Sequence, residues 1–482
     1  MKACVADEFE SRVFGQVKQI FDSQAPENIS KGIALAYSGG LDSSVLLVLL
    51  RDYAHRYQLP FFAFHIHHGL SAHADAWRAH CASTCAALGV AFASTEVQIQ
   101  SAGDGIESAA RRERYRALGR LCEEREISYL LTAHHQDDQA ETVLMQMLRG
   151  TGLRGLGGMD EINHAPDLLG SAHLKLVRPL LMQTRSSLEN FASERGIAHI
   201  SDESNQDLQF TRNAVRHRLM PVLESISPNF TERFFRTALH ARAANRILDQ
   251  IAADDLKRCL QTSTAEALDI PMWQSLGEDR MDNLLRYWIL SKNMQAPSTS
   301  KLQEMRKQVL RAREDACVSV SHLNFHLHRY ANKVFLVKQA PVIAQSRSGA
   351  LNQENDDTKE PITLHWQGEP SIDLPQWQGR LHFISGDQGI ARASLSLSRL
   401  QVRAREGGER LRLAKNRPSR DLKSHFQTLR IPFWQRAALP LVYADQDLIF
   451  VARLGLNADF LDETDGEKIQ IQWQSYEEIN KH

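Results

Sequence analysis

Over roughly its first 210 residues the chain alternates short apolar runs with helical patterns, and this alternation narrows the fold more than any other feature. Residues 32–37 form an apolar run that ends at Ser38-Gly39-Gly40, and a helical pattern follows from Asp42 to about Tyr57. Residues 61–67, 90–97 and 127–133 read as further strands, and 74–88, 107–125 and 137–148 as helices. Strands separated by helices require right-handed crossovers. The expectation is therefore an α/β domain with a mostly parallel, doubly wound sheet covered on both faces, spanning residues 1–213. In such sheets the ligand site lies beyond the carboxyl ends of the strands.

The period changes from about Ala214. Residues 215–260 hold no convincing strand, and apolar side chains recur at intervals of three and four, as in Leu219, Leu223, Phe234, Phe235 and Leu239. Helix is expected, with interruptions, to about Arg313, and then a hairpin over 318–337 with Ala331-Asn332 as its turn. A mainly helical domain is thus expected over 214–339. Residues 340–361 are polar and poor in large apolar side chains, as in a linker. Residues 362–482 alternate short strands around a basic segment and read as a small α+β domain.

Several classes of protein are excluded by composition. Hydrophobic residues make up 43% and charged residues 24%, enough apolar material for several cores and too much for whole-chain disorder. The longest aliphatic stretch, 45–50, falls far short of the ~20 residues that cross a bilayer. The opening MKACVADEFE carries acids where an export signal carries basic residues. Six scattered cysteines do not make a disulfide framework, and Cys81 and Cys85 read as buried helix residues rather than zinc ligands. A reduced, cytoplasmic protein without a membrane partner is expected, as monomer or homodimer.

The net charge of −1 conceals two basic segments. Residues 401–436 hold ten basic side chains against three acids, and residues 211–246 hold seven arginines against two glutamates. Local basic segments on a neutral chain suit a polyanion, with solvated helix faces as the plainer alternative.

The loop Ser38-Gly39-Gly40-Leu41-Asp42-Ser43 has the chemistry of an anion cradle. Glycines let backbone approach a ligand, the following helix presents outward N–H groups, and the serines add hydroxyls. It is not the lysine-bearing loop of kinases and GTPases. Further on, Asp138 and Glu141 are three apart on a helix and project from one face, while Asp137 points about 100° away. Carboxylates at a helix start facing a phosphate cradle suit Mg²⁺ and an incoming ammonium group. His134 and His135 end the fourth strand, and either could polarise a leaving group or hydrogen-bond within the fold. Asp42, Asp138, Glu141 and His135 are taken as the candidate catalytic set.

These motifs are similar to those of the tRNA(Ile)-lysidine synthetases, within the N-type ATP pyrophosphatases. The SGGLDS loop resembles that superfamily's pyrophosphate-binding loop. His65-Ile66-His67-His68-Gly69-Leu70, Glu107-Ser108-Ala109-Ala110-Arg111 with Arg114-Tyr115, and Ala133-His134-His135-Gln136-Asp137-Asp138-Gln139-Ala140-Glu141-Thr142 follow in the family's order. So do Arg149-Gly150-Thr151-Gly152, Arg178-Pro179-Leu180, Asp202-Glu203-Ser204-Asn205 and Arg212-Asn213-Ala214-Val215-Arg216, and the segment around Ile431-Pro432-Phe433-Trp434 resembles the longer members' last domain. One departure is Ser71, where many members carry arginine.

The resemblance implies a ligase that joins free lysine to C2 of the wobble cytidine of tRNA(Ile) with a CAU anticodon. ATP would adenylate the cytidine oxygen first, and lysidine would convert decoding and aminoacylation identity from methionine to isoleucine. ATP would lie on Ser38, Gly39, Gly40, Leu41, Asp42 and Ser43, with Mg²⁺ on Asp42 and lysine on Asp138 and Glu141. Residues 149–152 resemble a mobile glycine-rich loop that closes over the substrates, with a plain interdomain loop as the alternative. Arg111, Arg114, Arg149, Arg212, Arg216, Arg403, Arg412, Arg417 and Lys423 are candidates for tRNA phosphate contacts, and an ordinary surface ion pair is the alternative for each. The related tRNA thiolases usually need a C-x-x-C pair, and none occurs here.

Overall fold

A computed structural model describes residues 5–23, 29–67, 69, 73–98, 106–200, 211–260, 267–312, 318–338, 360–464 and 466–476. The chain divides into two compact units, 1–250 and 251–482. Among the described residues no helix is long and apolar enough to cross a membrane.

The first unit is built on a six-stranded sheet: β1 (Ile33–Ala36), β2 (Phe61–His67), β3 (Ala91–Glu96), β4 (Tyr129–Leu131), β5 (Ile162–His164) and β6 (Lys175–Val177), in the order β3-β2-β1-β4-β6-β5. All neighbours are parallel except β5 and β6. The chain winds outward one way from β1 through β2 to β3, then the other way from β4. The crevice between the carboxyl ends of β1 and β4 is therefore the topological switch point, where ligands bind in such sheets.

Both faces of the sheet are covered, which explains why its central strands are apolar without alternation. Helix α1 (Val5–Asp22), helix α2 (Leu41–Tyr57) and helix α3 (Ala74–Leu88) contribute Phe9, Val13, Leu46, Leu50, Cys81 and Cys85 to one core. Burial pushes the Cys81 thiol up to about 12 and that of Cys85 up to about 11, so both are inert packing groups. Helix α4 (Ile106–Glu123) covers the opposite face with Tyr115, Leu118 and Cys122. Helix α1 and the strands β5 and β6 extend the expected plan. Each of those strands has only three residues, too few to show a period of two.

The second unit has a four-stranded antiparallel sheet formed by Ala267–Asp269, Lys333–Lys338, Phe325–Tyr330 and Val318–His322, in that spatial order. The stretch expected as one hairpin is thus three strands. Its second turn lies at Ala331-Asn332 as expected, with φ of 47° and 59°. Its first turn lies at Leu323, with φ of 46°, where no glycine marks it in the sequence. The strand Ala267–Asp269 falls where helix was expected, and its pairing with Lys333–Phe335 explains it. Helices Glu278–Ser291 and Thr299–Arg311 share a core with this sheet through Trp288, Leu284 and Met305.

The remainder of the second unit is α+β, with a five-stranded and a four-stranded antiparallel sheet around Trp366, Leu400, Phe426 and Ile471. It meets the preceding sheet through Trp434, which stacks on His328 at 4.2 Å and 9°. Arg436 adds a hydrogen bond to the Tyr330 hydroxyl at 3.2 Å. Residues 340–359 of the expected linker lie outside the described residues, as do Asp202-Glu203-Ser204-Asn205, His68, Leu70 and Ser71.

The turn from β1 to α2 depends on one glycine. Gly39 has φ of +85°, and a Cβ there would lie 2.9 Å from both Cys81 Sγ and Ile200 Cδ1. At Gly40 a Cβ would meet only Ser38 Oγ at 3.6 Å, an ordinary contact. Gly39→Ala should therefore destabilise the fold by roughly 2 kcal/mol, and Gly40→Ala by much less. Chemical unfolding of the full chain measures the difference, and equal midpoints for the two variants would contradict it.

Candidate active site

The loop after β1 arrives at the switch point already organised. Ser38 Oγ lies 3.0 Å from Ser43 Oγ, Ser43 donates to the Gly40 carbonyl at 3.0 Å, and Ser44 donates to that of Gly39 at 3.2 Å. The backbone N–H of Ile200 donates to the Gly39 carbonyl at 2.9 Å, fixing the loop from a second segment. Helix α2 has Gly40 as N-cap with no side-chain cap, so no capping side chain competes with an anion for its first turn.

A cavity of about 300 Å³ opens beside this loop. Ser38, Gly40, Asp42 and Ser43 line one side, His65 and His67 come from the end of β2, and His134 follows β4. Arg114 and Tyr115 of α4 complete it, with the Arg111 and Arg114 guanidinium carbons 5.0 and 5.6 Å from the Tyr115 ring centre. Among the described residues neither ring nitrogen of buried His67 has a hydrogen-bond partner, although Asp75 and Glu96 carboxylates lie 3.5 and 3.9 Å from the ring. A buried imidazole lining a cavity in this state is a ready contact for a bound molecule.

Beside the cavity begins helix α5 (Gln136–Leu148), with His135 as N-cap. Asp138 Oδ2 accepts from the His135 backbone N–H at 3.1 Å, which holds the helix start closed. The His135 ring is 2% exposed and faces three carboxylates, Asp138 at 3.4 Å, Asp137 at 3.5 Å and Asp42 at 3.8 Å. Burial opposes its charge, but these acids outweigh burial and raise its pKa above the ordinary 6.5. His134 is different. Burial pushes it down to about 3, so it is neutral, and its Nδ1 lies 2.9 Å from Thr132 Oγ1. The two adjacent histidines are thus pushed in opposite directions, His134 towards the neutral form and His135 towards the charged one.

Asp138 and Glu141 share partners, as same-face residues must. Arg212 contacts Glu141 at 2.8 Å and Asp138 at 2.9 Å, and Arg216 contacts them at 2.5 and 3.0 Å. Burial opposes ionisation of Asp138, yet His135, Arg212 and Arg216 hold its carboxyl well below the usual range. Asp137 points elsewhere and accepts from the Arg185 backbone N–H at 2.9 Å. Asp42 is gripped by Arg185 at 2.7 and 2.9 Å, and its pKa is still raised because burial outweighs His135 and Arg185.

Sequence reasoning missed Arg185, which brings Asp42 and Asp137 together across 143 and 48 residues of chain. No local pattern singles it out. Arg212 and Arg216 sit on carboxylates rather than facing outward. Arg149 is exposed at the end of α5, and residues 149–152 are not among those lining the cavity. The stretch just beyond them is tied down: Gln139 donates to the carbonyls of Gly157 and Met159, Arg242 donates to Gly157 at 2.8 Å, and Arg154 pairs with Asp249. In the second unit Arg403 bonds to Gln401 and stands over the Tyr443 ring, and Arg412 pairs with Asp459 at 3.1 Å. Arg417 and Lys423 are exposed.

A glycine-serine loop at the switch point of a doubly wound sheet, facing an acidic helix start, defines a PP-loop nucleotide-binding enzyme. Residues 10–223 match the family profile described as a PP-loop domain, 268–335 that of the TilS substrate binding domain, and 400–473 that of the TilS substrate C-terminal domain. The chain belongs to the tRNA(Ile)-lysidine synthase family. It is 38% identical to the tRNA(Ile)-lysidine synthase of Burkholderia mallei over 92% of this chain and 93% of that one. With the Coxiella burnetii protein of the same name the identity is 35%, covering 88% of each chain. Among solved structures, a U34-tRNA thiolase from Methanococcus maripaludis superposes with a TM-score of 0.41 at 18% identity, covering 49% of this chain and 78% of that one.

The raised pKa of His135 gives the site a pH signature. Its folded pKa is raised, so the stability it contributes is fully present below about 6.5 and is lost as pH rises through the higher folded value. His135→Gln should lower the melting temperature most near about pH 6 and least near about pH 9. Melting curves of both proteins across that range check this, and a gap that widened with pH would contradict it.

Proposed function

We propose that the protein ligates free lysine to C2 of the wobble cytidine of a tRNA(Ile) with a CAU anticodon, in two steps at one site. The observation that carries this is the apposition of a phosphate cradle and a buried acid pair at the switch point, within a chain of this family. In the first step the cytidine O2 attacks the α-phosphorus of ATP, forming the adenylated tRNA and releasing pyrophosphate. In the second the lysine side-chain amine attacks C2 and loses a proton, and AMP departs with the former O2. The product, lysidine, pairs with A, so codon reading and amino-acid identity both change to isoleucine.

Each group in the site has a part in this scheme. Ser38, Gly39, Gly40, Leu41 and Ser43 with the first turn of α2 receive the pyrophosphate, stabilising charge where it develops. Asp42 at the mouth of this cradle fits a Mg²⁺ ion, which takes one or two carboxylates and completes its shell with phosphate oxygens. Its oxygens bond to Arg185, which would have to share or yield the carboxylate if Asp42 held the ion. Bound there, the ion would neutralise charge on the departing pyrophosphate. Neutral His134 offers the cavity a hydrogen bond without charge, and His135, whose protonated form its acidic neighbours favour, stands against the surrounding carboxylates. Asp138 and Glu141 hold the lysine and orient its amine, so positioning supplies much of the rate.

The chain divides functionally, on this reading, into a catalytic part over 1–213, a mainly helical tRNA-binding part over 214–339 and a basic tRNA-binding part over 362–482. Arg111, Arg114, Arg149, Arg212, Arg216, Arg403, Arg412, Arg417 and Lys423 are proposed to contact tRNA. Arg417 and Lys423 are the exposed cations of the C-terminal group.

Mass analysis of nucleosides from tRNA incubated with ATP and each of several amino acids tests the function. A lysine adduct on cytidine is expected, and no adduct, or one formed equally from other amino acids, would refute it. Glu141→Gln should raise the lysine KM about tenfold or more, on the order of 1.5–3 kcal/mol, while ATP-dependent adenylation without lysine persists. Kinetics at varied lysine decide this, and an unchanged lysine KM with full kcat would remove Glu141 from the lysine site. Replacing Arg417 and Lys423 together by alanine should weaken tRNA binding and reduce the slope of log affinity against log salt by about 1–2. Titrations at several salt concentrations measure this, and an identical slope would place tRNA binding elsewhere.

A further inference from the structure

Every oxygen of the acid pair assigned to lysine is already occupied by a donor from the protein. Glu141 Oε1 accepts from Arg216 Nε at 2.5 Å, and Oε2 accepts from Arg212 Nε at 2.8 Å and Arg216 at 3.1 Å. Asp138 Oδ1 accepts from Arg212 at 2.9 Å and Arg216 at 3.0 Å, and Oδ2 from the His135 backbone at 3.1 Å. All four oxygens therefore have N–H donors, and the Glu141 side chain is 1% exposed. An ammonium group cannot reach these oxygens while both guanidinium groups are seated.

The two arginines sit at a break in helical register, where a π turn interrupts the α-helix. Arg212 lies in the helical turn Thr211–Ala214, Arg216 in the π-helical turn Val215–Leu219, and Met220–Ile226 resumes the α-helix. A π turn carries one residue more per turn than an α-helix, and resetting it rotates what lies on one side of it by about 100°. This element also opens the basic segment of seven arginines against two glutamates. An RNA phosphate offers a guanidinium the same two-pronged geometry that Glu141 now offers Arg216.

We propose that Arg212 and Arg216 are a tethered stand-in for the substrate's ammonium, holding the acid pair until tRNA phosphate draws them away, so that the lysine subsite opens only with tRNA in place. This rests on the reading of Asp138 and Glu141 as the lysine subsite. The physical advantage is that the two buried carboxylates are never left without a cation, which would be strongly unfavourable. Arginine leaves as lysine arrives. The two arginines act as positioning residues that set the order of binding, and tRNA and lysine must favour each other's binding by the same factor.

Calorimetric titration of lysine into the full-length chain, without ATP, with and without the tRNA, tests this. In the unaltered protein, tRNA should tighten lysine binding by about tenfold or more. Arg216→Gln should raise tRNA-free lysine affinity towards the tRNA-bound value and flatten the tRNA effect, and Arg212→Gln should act in the same direction. ATP binding by both variants reports whether the unit is folded, and whichever variant binds ATP normally is the one read. A purely structural role for the arginines would leave the tRNA effect intact. Equal lysine affinity with and without tRNA in the unaltered protein, or an undiminished tRNA effect in the folded variant, would overturn the proposal. Glu141→Gln separates the two readings. If it abolishes lysine binding while the arginine variants keep the tRNA effect, only the stand-in fails. If it leaves lysine binding to the tRNA complex unchanged, the lysine subsite itself fails.

Discussion

Four carboxylates meet three arginines and a histidine beneath the phosphate loop, and the site's geometry depends on how these groups balance one another. Asp42, Asp137, Asp138 and Glu141 face Arg185, His135, Arg212 and Arg216, with separations from 2.5 to 3.8 Å. Because Arg212 and Arg216 each hold both Asp138 and Glu141, removing one leaves the buried acids with a single guanidinium partner, a larger change than losing a surface pair. The cluster also joins segments far apart in sequence: the β1–α2 loop, the start of α5, the helix Arg185–Arg195 and the turns around Arg212 and Arg216. The sheet brings these segments to one edge, and the charges lock them there. The same ions that hold the unit together are those that the chemistry proposed here would use.

The sequence is legible where signals are local. The parallel α/β plan follows from apolar runs and helical periods, and all eight expected elements of residues 32–148 are seen within two residues of their expected bounds, β2 and α3 matching residue for residue. The common face of Asp138 and Glu141 follows from their spacing, and the structure shows it directly in their shared arginine partners. What stayed illegible is non-local. Nothing near Arg185 announces that it grips Asp42, and Arg212 and Arg216 read equally well as phosphate contacts or as ion pairs. His134 and His135 are neighbours with one side-chain chemistry, and only burial on one side and three acids on the other tell them apart. The strand Ala267–Asp269 has meaning only through its distant partner.

The C-terminal basic segment shows the same limit. Its formal excess of positive charge shrinks once Arg412 meets Asp459 and Lys415 meets Glu463, acids that lie beyond the segment itself. Trp434, which lies within the basic segment, packs against His328, Tyr330 and Phe335 of the preceding sheet. Counting charges along a sequence thus overstates what is available to a polyanion, and exposure selects a smaller set.

The central claim is that one site activates a cytidine oxygen and then replaces it with lysine nitrogen. The fate of that oxygen tests it most directly. A tRNA carrying ¹⁸O at O2 of the wobble cytidine is converted with ATP and lysine, and the released AMP is weighed by mass spectrometry. The account predicts that the heavy oxygen leaves in AMP, in a one-to-one ratio with lysidine formed. Unlabelled AMP alongside lysidine would contradict adenylation at that oxygen and with it the two-step account.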